Sequence, residues 1–312
     1  VDAPVKSCYE AGRDGFWLHR YLLEREVENM VVDSASIEVN RRVRRAKTDR
    51  IDVGKLLNML IRYHNGEEKV WSVVHVPSME AEDKRHLHRQ LSTLKVDRTR
   101  HICRIKGLLA IQGLNLPIHV DFLDTLAAAR LWDGSRLPPG LRARVEREYA
   151  DLRYVEQHIK ELEAERDELI ETSDDPSIEK VRQLRKLRAI GPNSAWLFVM
   201  EFFGWRQFRN RRQVGGLAGL TPTPYQSGEE SREQGISKAG NRRIRTLAIE
   251  IAWAWLRYQP QSKLSQWFLE RFAGGGTRMR RIGIVAVARR LLIDLWRFLE
   301  YGVVPEGALL TT

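Results

Sequence analysis

Two aspartates three residues apart open an apolar-periodic segment in the stretch KTDRID, residues 47–52. If a helix begins at Thr48 or Asp49, the carboxylates of Asp49 and Asp52 lie about one turn apart on the same face. Two interpretations fit this pattern. Thr48 can cap the helix while the acids offset its dipole, or the carboxylates can bind a hard cation such as Mg²⁺ together with other acids.

Glu10 offers a third carboxylate at the end of a predicted strand. The run VKSCYEA, residues 5–11, leads directly into Gly12. In open α/β sheets, ligands bind beyond the carboxyl ends of the strands. Glu10, Asp49 and Asp52 could therefore meet around Mg²⁺, and a pair of such ions about 4 Å apart commonly assists displacement at phosphorus. A metal site of these three acids is the hypothesis, and helix capping is its alternative.

The elements that would position these acids follow an α/β pattern. A second strand-like run ends at Asp33, a helix is predicted over residues 49–64, and VWSVVHV, residues 70–76, reads as a further strand. Strands that alternate with helices favour at least partly parallel pairing. We therefore predict a small α/β domain over residues 1–77.

From Pro77 onward the apolar periodicity is helical. Residues 80–112 and a second segment around residues 145–169 carry apolar side chains at helical spacing, and the second has heptad spacing. This predicts a helical linker over residues 78–178, as an antiparallel hairpin or an intermolecular coiled coil. Residues 179–312 are predicted to be helical as well. They include a helix-hairpin-helix-like turn at residues 187–199, where Ala189 replaces a usual glycine.

The chain is strongly basic. Its 312 residues contain 52 Lys and Arg against 41 Asp and Glu, a formal net charge of +11. Basic clusters with interleaved aromatic residues favour nucleic-acid contacts over a merely solvated face. One cluster, Arg278, Arg280 and Arg281, lies near the C-terminus. The residues predicted to contact nucleic acid are Arg42, Arg44, Arg45, Lys47, Arg206, Arg209, Arg211, Arg212, Lys238, Arg242, Arg243 and Arg245.

The remaining composition bears on the compartment. No apolar run of about 18 residues is present, so no membrane span is predicted, and the chain opens without the pattern of a signal peptide. The two cysteines, Cys8 and Cys103, stand in unlike contexts. This usage is typical of a reducing compartment and predicts a cytoplasmic protein.

Three motifs together resemble the DEDD transposases of the insertion-sequence one-ten family, which includes the Piv-type invertases. They are YEAGRDGFWL at residues 9–18, KTDRID at residues 47–52, and GLTPTPYQSGEESREQGISKAGNRRIR at residues 219–245. The motifs follow the family's order across nearly the whole chain, and the last of them is quite specific.

The resemblance implies an N-terminal RuvC-like (RNase H-like) domain, a coiled-coil linker and a helical C-terminal domain with a nucleophilic serine. It assigns Glu10 to the family's catalytic glutamate and Asp49 and Asp52 to its last two aspartates. Ser227 of YQSG becomes the nucleophile that bonds to a DNA phosphate. The implied cofactor is Mg²⁺. The implied partners are donor and target DNA and a structured bridge RNA as guide, and a composite site and a coiled coil favour a dimer or tetramer.

Two departures leave other functions open. The family's first aspartate has no counterpart, because Asp2 lies too close to Glu10 and Asp33 matches no family acid. We therefore expect the RuvC-like domain to lack its N-terminal part. No histidine stands near Ser227, so its base would have to come from the acids, and Ser237 is a rival in the same motif. The alternatives are a metal-dependent nuclease of the Holliday-junction-resolvase type and an inactive remnant that only binds nucleic acid.

Overall fold

The computed structural model describes residues 3–37, 49–67, 69–227 and 230–311. The chain divides into two compact units, Val1–Met79 and Glu80–Thr312. Most of the described residues are helical, and their strands form two small sheets. This agrees with the predicted combination of α/β and all-α structure. Within the described part of the chain, no helix is both long and apolar enough to span a membrane.

The first unit is built on two parallel strands. Strand β1, Lys6–Glu10, pairs with β2, Glu28–Val32, and helix α1, Trp17–Leu23, connects them. Helix α2, Asp49–His64, covers the range that its apolar periodicity predicted. Its inner face packs with β2 around the buried side chains of Val32, Met59 and Trp71.

The predicted third strand at residues 70–76 is wrong in its extent. Only an isolated antiparallel bridge joins Val73 to Val32, with a hydrogen bond from Val74 N to Val31 O of 2.8 Å. The backbone N of Val70 donates a hydrogen bond of 3.1 Å to the carbonyl oxygen of Glu67. The segment therefore begins in a turn after α2, and its first residues are not extended.

In the second unit, the long helices form an intramolecular antiparallel hairpin. Lys95 pairs with Glu163 at 2.7 Å, and His101, further along the first helix, pairs with Glu148 at 2.8 Å, earlier in the second. This opposite order of partners matches the hairpin alternative, whereas the coiled coil stays a prediction. The helices of this region are α3, Met79–Asp83; α4, His86–Ala110; α5, Phe122–Ala128; and α6, Pro139–Thr172.

The rest of the second unit is a helical bundle with one β-hairpin. Its core is centred on α10 and α12, where Trp255 and Leu292 are fully buried. Asparagine side chains start two of its helices, since Asn210 and Asn241 each accept hydrogen bonds from the next turn. The elements are α7, Pro176–Arg185; α8, Pro192–Phe198; α9, Arg211–Leu217; β3, Pro222–Ser227; β4, Glu230–Ile236; α10, Arg242–Tyr258; α11, Lys263–Phe268; and α12, Thr277–Tyr301. Short π-helical turns, Val199–Phe203 and Leu269–Ala273, continue α8 and α11.

The turn between α7 and α8 has an unusual backbone at Ala189. Its φ is 85°, in the left-handed region that favours glycine. This is the position where the sequence departs from the usual glycine of a helix-hairpin-helix turn. The side chain is therefore a source of local strain, and binding of phosphate by this turn stays a prediction.

Candidate functional site

The carboxyl end of β1 and the N-terminus of α2 lie at the same end of the first unit. Lys6 Nζ is 3.0 Å from His64 Nδ1, and Cys8 Sγ is 3.9 Å from the carbonyl oxygen of Leu56. As the strand advances toward Glu10, its partners therefore move back along the helix toward Asp52. Glu10 is exposed and Asp52 is half-buried.

The donor chemistry at this end suits a hard divalent cation. Among the described residues, the carboxylates of Glu10 and Asp52 have no ion pair or hydrogen bond. Carboxylate oxygens are ligands that Mg²⁺ accepts in proteins. Asp49 begins α2, and its side chain lies outside the described residues. Asp33 is engaged in another way, because its carboxylate accepts a hydrogen bond of 3.0 Å from Ala35 N.

A different acidic group lies on the helical hairpin. His101, Glu148 and Asp151 bring one ligand atom each to within 4.8 Å of one another. His101 and Arg104 both contact the carboxylate of Glu148, at 2.8 and 3.4 Å. Burial would raise the pKa of Glu148, but these hydrogen bonds hold that pKa below its ordinary value. His101 and Arg104 thus hold the Glu148 carboxylate in place on the helical hairpin.

Two glycines of the third motif fix the base of the β-hairpin. A Cβ on Gly219, whose φ is 68°, would lie 2.0 Å from the carbonyl oxygen of Ala239, and a Cβ on Gly240, with φ of 90°, would lie 2.2 Å from that of Leu217. No larger residue fits either place without backbone movement. The two ends of the motif are therefore packed against the start of α10.

Ser227 is the last residue of β3. It pairs with Glu230 across the antiparallel hairpin, and its side chain lies outside the described residues. The rival Ser237 follows β4 at the other end of the hairpin, where its backbone N donates a hydrogen bond of 2.8 Å to the oxygen of Thr221. The two serines thus occupy opposite ends of one hairpin.

The predicted basic residues have unequal surroundings. Arg245 donates to the carbonyl oxygens of Ala218 and Lys238, at 3.3 and 2.9 Å, and so holds the hairpin base. The guanidinium of Arg206 lies 4.1 Å from the ring centre of Trp205, and burial, with the nearby charge of Arg85, lowers the pKa of Arg206 to about 10. Arg209, Arg211, Arg212, Lys238, Arg242 and Arg243 are exposed. Arg42, Arg44, Arg45 and Lys47 lie outside the described residues.

One carboxylate ties three segments of the second unit together. Glu201, only 2% exposed, accepts hydrogen bonds from Arg89 at 2.8 and 3.1 Å and lies 2.9 Å from His88 Nε2. The side chain of Asn241, the cap of α10, donates to it at 3.4 Å. Burial alone would raise the pKa of Glu201, but the hydrogen bonds from His88 and Arg89 hold that pKa far below its usual range.

A basic groove lies where the hairpin base meets α9 and α12. It encloses about 1640 Å³, and none of its described lining residues is acidic. Pro222 and Ile236 belong to the hairpin, Trp267 lies on α11, and the guanidinium of Arg290 stacks 3.7 Å from the ring centre of Trp267. The arginines of the described lining are Arg211, Arg212, Arg278, Arg281, Arg289 and Arg290.

The sequence pointed to part of this groove. Arg211 and Arg212 were predicted contacts, and Arg278 and Arg281 belonged to a noted cluster, but Arg289 and Arg290 were not predicted. Arg278 and Arg289 are eleven residues apart on α12, which is about three full turns at 3.6 residues per turn and so returns to the same helix face. Helical periodicity of the basic residues, rather than their clustering along the chain, would have found Arg289.

Comparison with known proteins identifies the family. Residues 181–265, which include the β-hairpin, match the family described as "Transposase IS116/IS110/IS902 family". A protein of Sinorhizobium fredii named "Putative transposase y4rJ" is 43% identical, over 99% of this chain and 80% of that protein. The transposase for insertion sequence element IS1328 of Yersinia enterocolitica is 27% identical over 58% of this chain and 53% of that protein. The transposase for insertion sequence element IS1111A of Coxiella burnetii is 26% identical over 71% of this chain and 60% of that protein. The chain therefore belongs to the IS116/IS110/IS902 family of transposases.

Proposed function

We propose that this transposase is an RNA-guided DNA recombinase that breaks and rejoins strands through Ser227. The observation that carries the proposal is the arginine-lined groove at the base of the β3–β4 hairpin, whose first strand ends at Ser227. From Pro222 in the groove wall to Ser227 is five residues, about 17 Å along a strand. DNA whose phosphates contact the groove therefore passes within reach of the hairpin.

The covalent step exchanges one phosphodiester for another. The Ser227 oxygen forms a bond to phosphorus and gives its proton to a base, while the bond to the leaving sugar oxygen breaks and that oxygen takes up a proton. Attack by a sugar hydroxyl of another strand reverses the step and frees the serine. The number of phosphoester bonds is conserved, so the exchange needs no external energy source.

We assign Glu10, Asp49 and Asp52 to a Mg²⁺ site. Two observations support this assignment. Strand β1 and helix α2 run in opposite directions, so that the end of β1 lies near the start of α2, and the carboxylates of Glu10 and Asp52 are unpaired among the described residues. A bound Mg²⁺ would stabilise negative charge on phosphate oxygens. Three carboxylates held at one site would repel one another in its absence, and such a repulsive cluster favours a function at this end over a purely structural one.

Two features support nucleic-acid partners at the hairpin. The groove offers a set of cations without acidic neighbours in the described lining, and the hairpin motif is anchored by glycines that admit no side chain. The bridge RNA, a dimeric or tetrameric assembly and a cytoplasmic location are part of the same proposal.

Strand exchange by serine variants tests the nucleophile. With the protein expressed from its complete reading frame together with its element's RNA, Ser227→Ala should abolish exchange and leave DNA affinity within about twofold, because a single hydroxyl carries little of a phosphate-driven affinity. Ser237→Ala is the matched control in the same hairpin and should retain exchange. Loss of exchange in Ser237→Ala with activity retained in Ser227→Ala would reject the assignment.

A further inference from the structure

The arginines of the groove have charges that the described part of the protein does not neutralise. Arg211, Arg212, Arg278, Arg281 and Arg289 form no ion pair with any described acid. Arg290 has an acidic neighbour, Asp294, whose pKa burial raises although the charge of Arg290 lowers it. Like charges that share one concave surface repel each other, and a polyanion that enters the groove removes this repulsion.

The floor of the groove is apolar. Ile282 is 48% exposed, and Val285, Ala286 and Ile293 continue the same face of α12. Double-stranded DNA presents phosphates and sugars to a protein outside its base edges, and these groups gain nothing from an aliphatic surface. Unstacked bases have apolar faces that do.

The stacked pair at one end of the groove adds a flat surface. Arg290 lies 3.7 Å above Trp267, whose ring is also in edge contact with Phe272. Arg290 is exposed on its outer side. A guanidinium plane is a surface on which a nucleic-acid base can stack.

The length of the groove suits a short segment. Arg278 and Arg289 are eleven residues apart on α12, which is about 16 Å at 1.5 Å per residue. This span fits the lower end of single-strand site sizes, about four nucleotides.

From these observations we propose that the groove binds single-stranded DNA, with its phosphates on the arginines and its bases on the apolar floor. The choice of DNA rests on the proposed function, since the hairpin that forms one wall also carries the serine assigned to attack DNA. The strand held in the groove would be the one separated from its complement next to the cut.

The test compares matched pairs of variants on α12 in the full chain. Fluorescence anisotropy measures affinity for one DNA oligonucleotide, single-stranded or annealed to its complement, and for single-stranded RNA of the same sequence. Arg281→Glu should weaken the binding of single-stranded DNA about tenfold. It should also lower the salt slope, the change of log affinity with log salt concentration, by about 0.7 to 1. Arg297→Glu, a change at an exposed position of α12 outside the groove, should leave both the affinity and the salt slope within error.

Floor variants separate a single strand from a duplex. Ile282→Ser should weaken the binding of single-stranded DNA about fivefold or more, without changing the salt slope or the affinity for duplex DNA. Met279→Ser is the control, because Met279 is similarly exposed on α12 but does not line the groove. If Ile282→Ser lowers the melting temperature, Val285→Thr replaces it, because it keeps the branched shape of the side chain and exchanges one methyl group for a hydroxyl.

Three outcomes would overturn the groove assignment. Ile282→Ser could weaken the binding of duplex and single-stranded DNA equally, or the control variants could weaken binding as much as the groove variants do. The groove variants could also change the affinity for RNA and leave the affinity for DNA unchanged. A change in oligomeric state with unchanged DNA affinity would identify a protein interface instead and would also overturn it. Strand exchange distinguishes this failure from that of the nucleophile. If the groove variants keep their affinity for single-stranded DNA while Ser227→Ala loses strand exchange, only the groove assignment is rejected. If the groove variants lose that affinity while Ser227→Ala retains exchange, only the assignment of the serine is rejected.

Discussion

Arg89 places two guanidinium nitrogens on the carboxylate of Glu201, at 2.8 and 3.1 Å, across 112 residues of sequence. Arg89 belongs to the first turns of α4, and Glu201 lies in the π-helical turn after α8. The same carboxylate contacts Asn241, which starts α10 beside the hairpin. This pair therefore links the helical hairpin to the region that carries Ser227.

Replacing Glu201 should destabilise the second unit strongly. Glu201→Gln removes the buried charge that accepts from the half-exposed Arg89 and contacts the buried His88, which should cost about 3 kcal/mol of unfolding free energy. Glu163→Gln is the control, because Glu163 pairs with Lys95 at a partly exposed site and should cost under about 1 kcal/mol. Urea denaturation measures the loss of unfolding free energy in both variants. Equal losses would show that the contacts of Glu201 contribute no more than an ion pair on the surface.

The stability of the second unit should fall in acid because of Glu201. Its pKa is depressed in the folded state, so below the unfolded value, about 4.3, the unfolded chain binds more protons than the folded one. The contribution is therefore complete above that value and is lost as the pH falls toward the folded pKa. Urea midpoints of the parent protein and Glu201→Gln should converge between pH 7 and pH 3. Parallel pH profiles would contradict this assignment.

Glycine at position 189 should stabilise the protein. Ala189→Gly removes the Cβ that is strained at a φ of 85°, a gain of up to about 1 kcal/mol. The same change at Ala150, an exposed position inside α6, should instead cost about 0.5–1 kcal/mol. Thermal unfolding of the two variants should shift in opposite directions, and a loss of stability in Ala189→Gly would mean that the turn carries no strain.

The acids of the first unit should behave as ligands rather than as caps. Asp49→Asn and Asp52→Asn should leave melting temperature unchanged or higher without Mg²⁺, because one repelling charge is removed, while strand exchange collapses across a Mg²⁺ titration. As dipole partners they would each contribute only about 0.3–1 kcal/mol and spare activity. Asp33→Asn is the control, since asparagine can keep the cap at Ala35. Active Asn variants with lowered melting points would return both acids to the capping role.

The sequence predicted elements wherever one local pattern decided the structure. The apolar periodicity of residues 49–64 was enough for α2, and opposing helical faces were enough for two long helices. The segment at residues 70–76 was misread because it begins in a turn, in which Val70 N is bonded to the carbonyl oxygen of Glu67. β-Propensity alone cannot report such a turn.

The sequence predicted the acids and the hairpin motif of the candidate site, but it did not predict the groove. The groove is assembled from α9, the hairpin, α11 and α12, so its arginines are neighbours only after folding. Glu201 left a readable signal, a single acid within the apolar run VMEFF. A lone charge in such a run is typical of a buried, paired residue, although its partners on α4 could not be read from the sequence.

The most direct test of the account is to identify the amino acid that is bonded to DNA. The protein, expressed from its complete reading frame, is incubated with its RNA, Mg²⁺ and labelled DNA that carries a nick beside the exchange site, so that the cleaved intermediate accumulates. Denaturing electrophoresis followed by mass spectrometry of the nuclease-treated adduct locates the phosphate. We expect a phosphoserine at Ser227, abundant in the parent protein and in Ser237→Ala and absent from Ser227→Ala. Cleaved DNA without any covalent protein, or a phosphate on a residue other than Ser227, would contradict the account.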